Sequence, residues 1–220
     1  MKIKAIIFDL DGLLLDSEPV AMRAMGRAIF ERTGKEMTFA FFRELIGHSR
    51  SDTYPNFERE YGFDVATTNA VRDRTAELIV EAIKRGECEK KPYCDETFDF
   101  LDAKGTLRMV ASSSPRSQIW QKLKMQRLSH RVNAIVSGWE VPRSKPDPAI
   151  FLKASELIET PPEECLVLED SPAGVTAASR AGMPCIMIPD LIAPSAAEKA
   201  QAFLVLPSLK EAVLELEKML

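Results

Sequence analysis

An apolar run that ends in carboxylates constrains this chain more than any other feature. Ala5, Ile6, Ile7, Phe8 and Leu10 fall within six consecutive positions broken only by Asp9, and Asp11 and Gly12 close the stretch. A run that is apolar without alternation predicts a strand covered on both faces, as in a parallel sheet flanked by helices. Carboxylates do not belong inside such a strand, so the two aspartates mark where the chain leaves the sheet, and Gly12 permits a sharp turn away from it. Side chains alternate along an extended segment, which puts Asp9 and Asp11 on one side and close together. Like charges so placed repel: either one carboxyl keeps its proton or a cation lies between them. The carboxyl ends of parallel strands are also where open α/β sheets bind ligands. The plainer alternative is a strand exit that uses aspartate as a turn residue or helix cap.

Beyond this strand the hydrophobic period changes. From Ser17 to about Lys90 there is no pattern of a buried strand, only helical spacing. Ser17 as cap with Pro19 in the first turn opens a helix with Val20, Met22, Met25, Ile29 and Phe30 inward. Further helices are expected over residues 39–45, 52–61 and 68–83, the last turning Val71, Leu78, Ile79, Val80 and Ile83 inward. From Pro92 onward helix and strand alternate. Strands are predicted at 107–111, 132–136, 165–168, 185–188 and 203–206, and helices at 95–103, 115–123, 147–157, 171–182 and from a Ser208/Glu211 capping box to the end. Asp147 and Pro148 supply the cap and first-turn proline of the third of these helices. Such alternation means an α/β fold, a doubly wound parallel sheet, here with an inserted small α-helical cap domain laid over it. The expected division is residues 1–15 and 91–220 for the core and 16–90 for the cap, with short hinges at 14–17 and 87–92.

The chain's 220 residues are enough to bury a catalytic core. Its 33 acidic and 29 basic residues give a net charge of −4 with no basic run, which argues against a nucleic-acid or membrane-surface partner. Met1-Lys2-Ile3-Lys4 leads straight into the first strand with no signal-peptide layout, and no segment is apolar enough to span a bilayer, so a cytoplasmic location is expected. The four cysteines form no CxxC pair. Cys165 and Cys185 sit in strand-like runs and read as buried thiols rather than disulfides or zinc ligands.

Parallel strands deliver their last residues to one edge, and this edge receives Asp9, Asp11, Ser112, Glu169 and Asp170, with Lys145 arriving from a loop. So many carboxylates call for a hard divalent cation with oxygen ligands. Mg2+ fits best, because it takes few carboxylates and leaves room for water and phosphate oxygens. Lys145, the Ser112 hydroxyl and the backbone N–H groups of the helix opening at 115–116 would meet the remaining phosphate oxygens. Together these groups describe phosphoryl transfer, one aspartate acting as nucleophile and its neighbour as acid and then base.

Four ordered pieces, Asp9-Leu10-Asp11-Gly12, Ser112 with Ser113 behind it, Lys145-Pro146-Asp147-Pro148 and Glu169-Asp170-Ser171-Pro172-Ala173-Gly174, resemble the four motifs of the haloacid dehalogenase-like superfamily. The resemblance is closest to its phosphatase and beta-phosphoglucomutase-like subgroup and covers essentially the whole chain. It implies a Rossmann-like core with a helical cap inserted after the first motif, and an enzyme acting on a small-molecule phosphate ester. Carried over, it implies Asp9 as nucleophile and metal ligand, and Asp11 as general acid/base with its backbone carbonyl on the metal. It also implies Ser112, Ser113 and Lys145 on the phosphate, Asp170 on the metal, and Glu169 on the metal directly or through water. The family's dehalogenases lack the second aspartate of the first motif, so Asp11 weighs against dehalogenation. Mutases of the subgroup carry a histidine in the helix after that motif and tend to have a lysine after the motif-two serines. Here residues 18–22 hold no histidine and Pro115-Arg116 stands at the second place, which favours a phosphatase over a sugar-phosphate mutase. Gly47-His48-Ser49-Arg50 resembles the cap loop that faces the active site. Arg50 is expected to contact substrate through its forked donors, against the alternative of a solvated arginine between helices, and His48 reads as a loop or cap residue.

The remaining conspicuous residues receive plainer readings. Asp16 fixes the hinge or the turn out of the site, and Trp120 and Trp139 pack, although Trp139 lies on a loop, Gly138-Trp139-Glu140, that could approach the cap. His130 is at the surface, Lys90 and Lys91 are solvated hinge charges, and Met22, Met25, Met109, Met183 and Met187 belong to apolar faces. No helix shows a sustained apolar seam, so a monomer is expected. Two other classes remain open: a catalytically silent binding protein, and a phospho-accepting signalling domain, which would not carry so long a helical insertion.

Overall fold

The structure, a computed structural model, describes residues 2–46 and 53–220. The Gly47-His48-Ser49-Arg50 loop, and with it the readings of Arg50 and His48, lies outside the described residues, as does Asp52, the expected start of the third helix. Strand β1 (Ala5–Phe8) is buried along its whole length. Two compact units form, Met1–Leu15 with Lys90–Leu220, and Asp16–Glu89.

The second unit is helical: α1 (Glu18–Thr33), α2 (Phe39–Leu45), α3 (Tyr54–Tyr61) and α4 (Val65–Lys84). The buried stripe of α1 runs through Val20, Ala24, Ala28 and Ile29, and its two alanines let α4 approach. Phe30 falls past the edge of that stripe and is exposed, and Met22 is only half-buried, contrary to the inward positions expected of them. Phe57 is the centre of the unit's core, meeting Phe41 edge-on and stacking with Phe63. Thr38 and Asp64 cap α2 and α4 through their side chains. Ser17 stands at the N-cap of α1 but makes no side-chain cap bond, because its backbone is already helical rather than extended.

The first unit continues with α5 (Cys94–Lys104), β2 (Leu107–Ser112), α6 (Arg116–Met125), β3 (Ala134–Ser137), α7 (Ala149–Leu157), β4 (Cys165–Glu169), α8 (Pro172–Arg180), β5 (Cys185–Met187), α9 (Ala196–Gln201), β6 (Leu204–Val205) and α10 (Leu209–Met219). Its six-stranded sheet has the order β3-β2-β1-β4-β5-β6, every pair parallel, with β1 at the centre. This is a doubly wound sheet whose strand order reverses beside β1, where such folds place ligands. One face packs Ile7, Met109, Val136, Phe151, Val167 and Val175 into a single apolar cluster. All four cysteines are buried and free.

Local details depart from expectation. At the start of α7, Pro148 occupies the cap position and Asp147 accepts from the Ala149 N–H at 3.0 Å. Ser208 caps Lys210 N–H and donates to the Glu211 carboxylate, so no reciprocal capping box forms. Helix α9 lies where no helix is expected. Its six residues bury nothing, and only the Ser195/Glu198 capping box announces it. Lys91 is not a solvated charge but pairs with the mostly buried Asp190 at 2.7 Å.

Candidate active site

Register brings the polar residues level. Phe8 pairs with Val110 of β2 and Leu168 of β4, so the residues just beyond these positions leave the sheet together. From β1 come Asp9 and Asp11, from β2 Ser112, and from β4 Glu169 and Asp170. Gly12 comes next at φ +89°, a conformation strained for any other residue, and a Cβ there would overlap the Asp170 carboxylate. Gly174, in the first turn of α8, likewise leaves space that the Glu169 carboxylate fills.

Lys145 is buried between two carboxylates. Its ammonium pairs with Asp9 Oδ1, donates to Glu169 Oε1 at 2.5 Å and to the Ala111 carbonyl at 3.1 Å, which uses all three of its donors. Glu169 Oε2 accepts from the Ser171 N–H at 2.7 Å and its hydroxyl at 2.9 Å, and the same hydroxyl accepts from the Gly174 N–H. The side chain that caps α8 therefore also orients a site carboxylate. Burial pushes Asp9 up to about 7; Lys145 opposes that rise, while Glu169 and Asp11 add to it. Burial works against the charge on Lys145, but Asp9 and Glu169 outweigh it and raise its pKa above the ordinary value.

Asp9, Glu169 and Asp170 each offer a carboxylate oxygen within 4.8 Å of the others, and all three residues are buried. The Asp11 side chain stands apart from this group. Its Oδ2 accepts from Ser114 Oγ at 2.8 Å and Ser112 Oγ at 3.2 Å, and its Oδ1 pairs with Lys122. Ser112 thus engages Asp11, and Ser113 shares a hydrogen bond with Ser144 at 3.2 Å beside Lys145. Arg116 pairs with Glu140 and donates to the Ile135 carbonyl rather than entering the site. Trp139 is 69% exposed, which corrects its reading as a packing residue. It lies in a short turn, 138–140, whose capping box and close approach of Gly138 to Ser113 and Ser144 leave the indole outside.

Lys122 is the residue that sequence reasoning passed over. Only 5% of its side chain is accessible, and it belongs to the buried stripe of α6 with Ile119 and Leu123. A lysine three residues after one apolar inward position and one before another was the signal available.

A divalent cation suits these donors. When ionised, Asp9, Asp11, Glu169 and Asp170 carry four negative charges against two positive ones on Lys122 and Lys145, leaving the charge that such an ion cancels. The three converging donors are carboxylate oxygens, the ligands of hard cations.

Comparison with known proteins places the chain among relatives that share its sequence and fold. The family described as haloacid dehalogenase-like hydrolase matches residues 6–188. A phosphorylated carbohydrates phosphatase from Thermotoga maritima is 30% identical over 183 residues, covering 82% of each chain. The 6-phosphogluconate phosphatase of Escherichia coli is 26% identical over 191 residues, 83% of this chain and 80% of that one. The crystal structure of CbbY from Rhodobacter sphaeroides in complex with phosphate superposes with a TM-score of 0.82 at 25% identity, over 97% of this chain and 99% of that one.

Proposed function

The chain belongs to the haloacid dehalogenase-like hydrolase family, and from that premise we propose that it is a Mg2+-dependent phosphatase of a small phosphate ester, a sugar phosphate, working through an aspartyl-phosphate on Asp9. The observation that carries the reading is the buried group of Asp9, Glu169 and Asp170 with Lys145 bridging two of its members. Sugar phosphate as the substrate class is supported by relatives that act on phosphorylated carbohydrates and on 6-phosphogluconate. In this reading residues 1–15 and 91–220 are the catalytic core and 16–90 the cap. The protein works as a monomer in the cytoplasm; no helix among the described residues is long and apolar enough to cross a membrane.

Asp9 attacks phosphorus, the ester P–O bond breaks, and Asp11 gives its proton to the departing oxygen. Water then attacks the aspartyl-phosphate and passes a proton to Asp11, which restores Asp9 and releases inorganic phosphate. Lys145 offsets charge on the phosphoryl oxygens and keeps Asp9 oriented. Ser112 and Ser113 hydroxyls contact the phosphate once it displaces their present partners. Asp9, Glu169 and Asp170 would hold Mg2+, with the Asp11 carbonyl as a further ligand; bound there, the ion neutralises the carboxylates and polarises the phosphoryl group.

A panel of sugar phosphates assayed for phosphate release, with magnesium and with chelator, tests this. Asp9→Asn should lower release by roughly 10⁴-fold or more, as loss of a covalent nucleophile does. The panel should include beta-glucose 1-phosphate with a trace of the 1,6-bisphosphate. Isomerised sugar phosphate without release would replace hydrolysis by mutase activity, and silence throughout would favour a binding protein.

A further inference from the structure

Among the groups at the sheet edge, Lys122 is the one that the proposed reaction leaves without a task. Burying an ammonium is unfavourable unless it is paired, and Asp11 is the partner it finds. Lys122 reaches that partner from the middle of α6, held in place by Ile119 and Leu123 on either side of it in the buried stripe. Ser112, the last residue of β2, and Ser114, in the segment between β2 and α6, donate to the other oxygen. Each oxygen of the Asp11 carboxylate therefore has its own donor, and the donors come from a rigid strand end and a packed helix. A carboxylate held at one oxygen only can rotate about its last bond; held at both, it has one orientation.

We propose that Lys122 is a positioning residue for Asp11, the α6 leg of a clamp whose other leg is Ser114, and that this clamp aims the carboxyl for proton transfer to the leaving oxygen. The inference rests on the role assigned to Asp11 under the proposed function. Lys122 acts through Asp11, so its removal should matter most where the leaving group most needs a proton. Phenolate departs poorly without one; p-nitrophenolate departs readily.

The test compares kcat/KM for phenyl phosphate and p-nitrophenyl phosphate, with magnesium, in the wild type, Lys122→Met and Lys122→Arg. Methionine fits the apolar surroundings without the charge, and thermal melting reports whether the fold survives. Because both esters are measured in one preparation, their ratio does not depend on how much of it is folded. Lys122→Met should lose roughly 10- to 100-fold on phenyl phosphate, the size of effect expected from a misplaced catalytic group, and less than about 3-fold on p-nitrophenyl phosphate. Lys122→Arg should recover most of the phenyl phosphate rate, and Ser114→Ala should show the same selectivity as Lys122→Met in smaller measure. Equal losses on both esters, no loss, or a gain on phenyl phosphate would overturn the clamp while leaving the phosphatase reading in place. A wild type that releases phosphate from neither ester nor any sugar phosphate of the panel would overturn that reading and the clamp with it.

Discussion

Asp9 shows how a site residue leaves its mark on stability. The unfolded chain releases this proton near the ordinary value of 3.8, whereas burial holds it in the folded protein to about 7. Between those values the folded state binds a proton that the unfolded state has lost, so the Asp9 contribution to stability falls as pH rises through the window and stays low above it. Thermal melts in chelator should therefore show a midpoint that declines from about pH 5 to about pH 8, a decline that Asp9→Asn flattens. Added magnesium should raise the midpoint, and more so at the higher pH, where Asp9 is ionised and able to bind it. A decline that persists unchanged in Asp9→Asn would assign the effect elsewhere. Asp9, Asp11, Glu169 and Asp170 were legible in the sequence because each is a charge at the end of an apolar run, where no packing argument accounts for it. Lys145 was legible as a cation in a loop returning to the same edge, just before a helix. Lys122 was not, because helix lysines ordinarily extend to solvent and only its register with Ile119 and Leu123 set it apart.

Element ends do double duty in this fold. Ser171 closes the first turn of α8 by accepting from Gly174 N–H, and through the same hydroxyl it donates to Glu169. Ser171→Ala should cost about 1 kcal/mol of stability, as loss of an N-cap does, and should also weaken magnesium binding several-fold because Glu169 loses an orienting donor. Urea denaturation and calorimetric titration separate the two effects. Loss of stability with unchanged magnesium affinity would confine Ser171 to capping. The sequence announced most helices and strands by period, but their caps were less readable. Ser17 has the residue type of a cap yet a helical backbone, and Ser208 turns to the Glu211 side chain instead of sharing a box with it. Residue type permits such bonds; the backbone angles and the neighbouring rotamers decide whether they form.

For the whole molecule, alternation of apolar runs and helical spacing was enough to imply a parallel doubly wound sheet, because few other arrangements cover a strand on both faces. Strand order depends on pairing across distant segments, and nothing local in the sequence encodes that β4 lies beside β1. The central claim is that Asp9 carries the phosphoryl group during turnover. Wild-type protein turning over radiolabelled p-nitrophenyl phosphate with magnesium, quenched in acid and digested, should yield label on the peptide containing Asp9. That label should be released by hydroxylamine and be absent in chelator. Asp9→Asn should show neither label nor turnover; turnover that persists in that variant would contradict the account.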